Sequence, residues 1–295
     1  MKKRFHIRPR RKKFTLVEVL VAMAVFSILV LLMMQFFAGA QKLWVSTERQ
    51  NELYADARVA MDIVSTLLQN AYYSDGGVPF CWEDYNDAVD GRTNTRIYFP
   101  TQTQMELPGE NPTRFVAFKR GETRTNNHLL GMTVFSDRED EGNLAFSYFF
   151  PPFDSGSINS LSQAQEKLKD KLNAKFSAMD GLTAAELQQG DYKETADYAV
   201  LLDTVTGFRV VPLKYASGGA GVALITSSDG DYKNRMPYIV EIQLSMMDKQ
   251  SFEIWDKDFN GRSATPKSGA DDFRQQHEHT FTRAVFLGDR WENGL

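Results

Sequence analysis

The chain shows two successive hydrophobic patterns in its first quarter. From Val19 to Met34 every position is apolar except Ser27, so this stretch has no polar face. From Leu53 onward, apolar residues return only at every third or fourth position, with charged residues between them, which is typical of a helix with one apolar stripe. The members of this stripe are Leu53, Ala57, Met61, Val64, Leu68 and Ala71.

These two patterns predict one continuous helix. Residues 41–75 contain neither Gly nor Pro, and Gly76-Gly77 supplies a stop signal, so we expect the helix to cover 14–73. The apolar half, 14–40, would be about 40 Å long and exceeds the roughly 20 residues that span a hydrocarbon core. The second half, 41–75, would pack its stripe on a globular head.

The head, residues 76–295, is predicted to combine an antiparallel β-sheet with an inserted helical block. The clearest strand is 238–246, in which Val240, Ile242, Leu244 and Met246 alternate with more polar residues. The insertion at about 155–190 has a helical stripe instead, with capping boxes expected at Ser162–Gln165 and Thr183–Glu186. The stripe residues are Leu161, Ala164, Leu168, Leu172 and Phe176. The predicted fold class is therefore α+β.

Charge divides the chain unevenly. Residues 1–13 hold eight of the 34 Lys and Arg residues and no acidic residue, which leaves 26 basic against 38 acidic residues in the rest. An acidic head disfavours nucleic acid as a partner. Basic residues before an apolar segment favour a single-pass membrane protein with its N-terminus in the cytoplasm.

The apolar segment has three interpretations: a plain signal anchor, a secretory signal cleaved after Ala38-Gly39-Ala40, or the leader junction of a filament subunit. Glu18 bears on the choice, because a carboxylate in lipid costs about 2.5–3.5 kcal/mol at a helix centre and less near an end. Such an acid lies at the membrane interface and extends towards water, caps the helix N-terminus, or meets a positively charged partner.

The nine residues from Phe14 to Ala22, FTLVEVLVA after a basic leader, resemble the leader junction of type IV pilins and type II secretion pseudopilins. The resemblance implies that a prepilin peptidase cuts between Lys13 and Phe14 and methylates the new amino group of Phe14. It also implies that Glu18 pairs with the terminal ammonium of a neighbouring subunit during assembly. Lys13 departs from the family, which strongly prefers Gly before the cut.

A looser resemblance covers the C-terminal part of the head. The order of 205–209, 236–248 and 281–287 is similar to J-type minor pseudopilins. The family implies a structural subunit rather than an enzyme, held in the inner membrane with a periplasmic head and partnered by other pilin-like subunits. The alternatives are an uncleaved, membrane-anchored periplasmic binding protein and an exported enzyme released by signal peptidase.

No set of residues predicts catalysis, a resident metal or a cofactor. His277-Glu278-His279 is interpreted as a polar lead into the last strand, and the lone Cys81 as an inert buried thiol. Asp256, Asp258 and Asn260 match the first half of an EF-hand loop. Lys267 occupies the twelfth position, however, and no exiting helix is evident, so a surface turn is expected there.

Overall fold

A computed structural model describes residues 15–71, 80–87, 91–102, 113–123, 125–136, 160–183, 186, 198–215, 221–225, 236–259 and 268–288. The chain divides into two compact units, residues 1–51 and 52–295. A long N-terminal helix is followed by antiparallel sheets and further helices, so the predicted α+β class is confirmed.

Helix α1 spans Leu16–Gln69. It ends four residues before the predicted position because the chain turns towards the sheet: Ala71 forms a β-bridge with Thr101, whose hydroxyl donates to the carbonyl of Asn70 at 3.1 Å. Residues 72–79, which include the predicted Gly76-Gly77 stop, lie outside the described part.

The described part of the first sheet has five antiparallel strands in sequence order. They are β1 (Cys81–Asn86), β2 (Thr93–Gln102), β3 (Thr113–Arg120), β4 (Leu130–Ser136) and β5 (Ala199–Leu202). Helix α2 (Leu161–Asp180) lies between β4 and β5 in the chain, at the predicted place of the insertion. Its N-cap is Ser160, whose hydroxyl accepts from the amide of Gln163. The capping box was therefore predicted at Ser162–Gln165, two residues after the observed N-cap.

The second sheet has four antiparallel strands among the described residues, in the order β7-β6-β8-β9. Their bounds are β6 (Val205–Tyr215), β7 (Val222–Leu224), β8 (Ile239–Met247) and β9 (Glu278–Phe286). Strand β8 buries the predicted alternate residues, from Val240 to Met246. Two helices that the sequence patterns did not predict, α3 (Lys249–Asp258) and α4 (Ala270–His277), connect β8 to β9.

Two clusters of buried side chains lie on opposite faces of the first sheet. One cluster contains the predicted stripe of α1, all six residues of which are buried, together with Ile97, Phe99 and the inner residues of β6 and β8. The other contains Tyr98, Phe115 and the described stripe residues of α2. The head therefore has α2 as an outer layer, and the insertion completes the burial of the first sheet.

Candidate functional site

The described part of the candidate leader junction begins at Thr15, so Lys13 and Phe14 lie outside it. Glu18 lies in the first turn of α1 and its Oε2 accepts two hydrogen bonds from Thr15, from the amide at 2.9 Å and from the hydroxyl at 3.1 Å. The amide of Glu18 in turn donates to the Thr15 hydroxyl at 3.3 Å. Thr15 and Glu18 thus form a reciprocal capping box, which satisfies two amides that a helix N-terminus otherwise leaves unbonded.

The capping geometry explains why an acid is tolerated at this end of an apolar helix. The carboxylate lies where the helix dipole favours negative charge and where two donors meet it. Both residues remain exposed, so the carboxylate is open to a further partner.

The apolar segment of α1 presents its side chains to the surroundings. Every residue from 15 to 51 is exposed except Val30, which is partly buried. Ser27 bonds the carbonyl of Met23 at 2.9 Å, as expected for a serine that satisfies itself within its own helix. By length and composition, α1 is the one helix among the described residues that could cross a membrane. An exposed apolar surface of this extent is typical of a site that contacts lipid or protein.

The acid and histidine residues at the start of β9 are held by separate partners. His277 ends α4 and its Nδ1 lies 3.2 Å from the hydroxyl of Ser251. Glu278 accepts two hydrogen bonds from Arg92, at 2.6 and 2.9 Å, and one from Thr206. No group of three metal-ligating side chains converges within the described ranges.

A surface turn was predicted at the EF-hand-like sequence, and this prediction is wrong for its first two acidic residues. Asp256 and Asp258 belong to the last turn of α3, and Asp256 is buried. The expectation that no helix follows is also wrong, since α4 begins at Ala270. Asn260 lies outside the described residues. Asp248 caps α3 by accepting from the amides of Gln250 and Ser251, which is the local signal that the sequence analysis missed.

Cys81 is buried beside Tyr98 at the start of β1. Burial raises the pKa of its thiol to about 12, and the hydrogen bond with the Tyr98 side chain acts in the opposite direction. A thiol with so high a pKa does not form the reactive thiolate at neutral pH.

Compared with models of protein families, with curated proteins and with solved structures, the chain matches none. Its function is therefore argued from the residues and their geometry.

Proposed function

We propose that the chain is a pilin-like or pseudopilin-like subunit of a membrane-associated filament of the type II secretion or type IV pilus kind. It is inserted in the inner membrane through the first half of α1, with the N-terminus in the cytoplasm and the head in the periplasm. Its partners would be other subunits of the same kind and a prepilin peptidase.

One observation carries the proposal: Glu18 is the only charged residue between Thr15 and Gln41 of the sequence, and it sits at the exposed start of an exposed apolar helix. Retaining one acid in such a segment has a stability cost in lipid that a hydrophobic residue would avoid. The capping box offsets part of this cost in the single chain. An ammonium group from a neighbour would offset the remainder once water is excluded.

The proposed processing creates that ammonium group. Hydrolysis of the amide bond between Lys13 and Phe14 leaves a carboxylate on Lys13 and a free amine on Phe14, four residues before Glu18 in the sequence. The amine takes up a proton at neutral pH, and a methyl group from a methyl donor replaces one of its hydrogens without removing the charge. Removal of residues 1–13 also takes away eight positive charges, which would otherwise stay at the membrane surface.

The head is built to remain folded while the first half of α1 changes its surroundings. The buried stripe begins at Leu53 and holds only the second half of α1 to the sheets. Exchange of lipid for neighbouring helices around Val19–Met34 therefore leaves the core of the head intact. This division supports a subunit that leaves the bilayer during assembly.

Mass spectrometry of the mature chain from membranes tests the proposal. A chain that starts at N-methylated Phe14 supports it. A start at Met1 or Lys2 would instead identify an uncleaved anchored protein, and a start at Gln41 an exported one. The candidate signal-peptidase site for a start at Gln41, Ala38-Gly39-Ala40, lies within the continuous α1 helix.

A further inference from the structure

Among the described residues, β9 is the longest strand that lies at the edge of a sheet. It has nine residues and pairs with β8 along its whole length without a bulge. The other edge strands are shorter: β7 has three residues, β5 has four, and β1 has six with Glu83 and Asp84 among them. Proteins usually blunt long edges with charges, proline or bulges, because an open edge accepts another strand.

The backbone register shows which groups of β9 point away from the sheet. The amide of Leu287 donates to the carbonyl of Tyr238 at 3.0 Å, so Leu287 directs its amide towards β8, although the amide of Tyr238 itself bonds to Leu213 of β6. Antiparallel pairs alternate, so every second residue before Leu287 also bonds to β8. The remaining residues direct their amides and carbonyls to the open edge, and they are Thr280, Thr282, Ala284 and Phe286. Within the described ranges no other segment donates backbone hydrogen bonds to them or accepts from them.

The side chains of these four residues share one face of the sheet. All four residues are exposed and none is charged. The one basic residue of β9, Arg283, points to the opposite face and is paired with Asp62 of α1. The charged residues of β9, Glu278 and Arg283, are thus both engaged in ion pairs with other elements, and the four residues that direct their backbone groups to the open edge are uncharged.

Phe286 ends a row of apolar side chains that crosses all four strands. It pairs with Ile239, which pairs with Leu213, which pairs with Leu224. Phe286 and Leu224, at the two ends, are 57% and 59% exposed. A strand added beyond β9 would place one side chain beside Phe286 and lengthen this row.

We propose that the edge of β9 binds an extended, uncharged segment of another protein as a fifth strand, with a large apolar side chain seated beside Phe286. Backbone hydrogen bonds to Thr280, Thr282, Ala284 and Phe286 would supply affinity, and the position beside Phe286 would supply specificity. This inference goes beyond the proposed function, which concerns α1.

The direction of α1 argues against a second copy as the occupant. Tyr54 packs on His279 and Phe281, whereas Asp62, two turns later, pairs with Arg283. The second half of α1 thus advances along β9 in the direction of the strand. If β9 paired with β9 of a second copy about a two-fold axis, the second halves of the two α1 helices would run in opposite directions, and the two Glu52 residues would lie at opposite ends of the pair. Two chains anchored in one membrane instead require both Glu52 residues to lie on the membrane side. This step alone rests on the proposed membrane anchor.

The test uses the full-length chain in nanodiscs and a capped nine-residue peptide of alternating Thr and Val with one Phe. The readout is amide hydrogen exchange at Thr280, Thr282, Ala284 and Phe286. We expect exchange at these amides to slow by about tenfold or more when the peptide binds, because each enters a strand pair. A peptide whose amides are N-methylated along one edge of the strand should still bind through its other edge. A peptide methylated along both edges should leave the exchange of the four β9 amides unchanged.

Two variants at one position separate pairing from general contact. Ala284→Pro removes an amide that bonds to nothing in the sheet, so the fold tolerates it while the added strand loses a donor. Ala284→Ser keeps the amide and is the matched control. We expect unchanged melting temperatures for both and loss of protection only in Ala284→Pro.

Three results would overturn the proposal. The first is that millimolar peptide leaves the exchange at all four amides unchanged. The second is that these amides are already protected in the free monomer. The third is protection that rises with the concentration of the chain itself in the absence of peptide, which would identify a second copy as the occupant.

Discussion

Arg92, the residue immediately before β2, donates two hydrogen bonds to Glu278 at the start of β9, at 2.6 and 2.9 Å. The two residues lie 186 positions apart in the chain, and the strands that begin beside them belong to different sheets. Thr206 of β6 donates to the same carboxylate, whose side chain is only 10% exposed. Glu278 therefore ties three strands together at one end of the head.

Replacing this acid should loosen the contact between the two sheets. We expect Glu278→Ala to lower the free energy of unfolding by about 2–3 kcal/mol, because hydrogen bonds to a charged group are lost and Thr206 and Arg92 are left without that acceptor. Urea denaturation of the full chain in detergent would measure the change.

Arg58→Ala is the matched control. Arg58 also approaches a carboxylate, that of Asp62, but its side chain is 84% exposed and the two groups are 4.0 Å apart. Its loss should change stability by less than about 0.5 kcal/mol. Equal effects of the two substitutions would contradict the assigned role of Glu278.

The ionised carboxylate of Asp56 on α1 should lower the stability of the head at neutral pH. Desolvation of its carboxylate, and then the charges of Asp203 and Glu52, raise its pKa above the ordinary value for aspartate. The folded chain thus holds the proton more tightly than the unfolded chain, so stability falls as the pH rises through the interval between the ordinary and the raised pKa. We expect Asp56→Asn to have a higher melting temperature than the wild type at pH 7, and this difference to vanish below the ordinary pKa.

Asp62→Asn provides a comparison on the same helix. Asp62 is paired with Arg283 rather than surrounded by acids, so its neutralisation should lower the melting temperature at pH 7. Thermal scans of both variants at pH 7 and near pH 3 would measure this contrast. A rise at pH 7 in both variants would indicate general relief of negative charge instead of the specific environment of Asp56.

Close packing should make the contact between α2 and β4 sensitive to a single methyl group. A Cβ at Gly131 would lie 2.6 Å from the sulfur of Met179, which is fully buried. We expect Gly131→Ala to cost about 1–3 kcal/mol through overpacking and Met179→Ala to cost about 2–5 kcal/mol through a cavity. The double variant should be less destabilised than the two costs together, by at least about 0.5 kcal/mol. Additive costs would mean that the two residues do not share this space.

Local periodicity was sufficient to predict the elements in which buried residues recur at regular intervals. All six predicted stripe residues of α1 are buried, and β8 alternates as expected, because each element has one face on the core. The short helices α3 and α4 gave no comparable signal. A helix of eight or ten residues contains few repeats, and its existence depends here on caps such as Asp248 and on packing around Trp255.

The long-range features lay beyond any local pattern. The pairing of Arg92 with Glu278 and the edge position of β9 depend on which strands meet, and the sequence specifies those pairings only through the complete fold. At the candidate assembly site, the sequence indicated both roles of Glu18. The structure places the carboxylate in the capping box, and pairing with a neighbour stays a prediction.

Lys13 should limit the rate of leader cleavage if the chain is processed as pilins are. Lys13 has a long charged side chain at the position where pilins strongly prefer Gly, and sometimes have Ala, because a small residue lets the peptidase approach the backbone closely. We expect Lys13→Gly to increase the fraction of chain that starts at Phe14, measured by pulse labelling and mass spectrometry. Lys12→Gly removes the same charge one position earlier and should have a smaller effect. An equal processed fraction in both variants would contradict a specific role of Lys13 in recognition of the cleavage site.

Glu18→Gln separates the two roles of the acid. Glutamine keeps an oxygen that accepts from Thr15 and fits a capping box, but it has no charge. If Glu18 only caps α1, Glu18→Gln should assemble like the wild type and Glu18→Ala should be impaired. If Glu18 meets a neighbour's ammonium, both variants should insert in the membrane normally and fail to assemble. The expected loss is about a hundredfold or more, because an unpaired buried charge costs about 3–5 kcal/mol.

Thr15→Val completes this comparison, since it removes the hydroxyl of the capping box and leaves the charge of Glu18 in place. We expect it to assemble, with at most a modest loss from the weaker cap, about 1 kcal/mol. The measurement is the fraction of chain that sediments with sheared filaments relative to the membrane pool. Normal assembly of Glu18→Gln would show that the charge is dispensable, and the proposed pairing with a neighbouring subunit would then have to be abandoned.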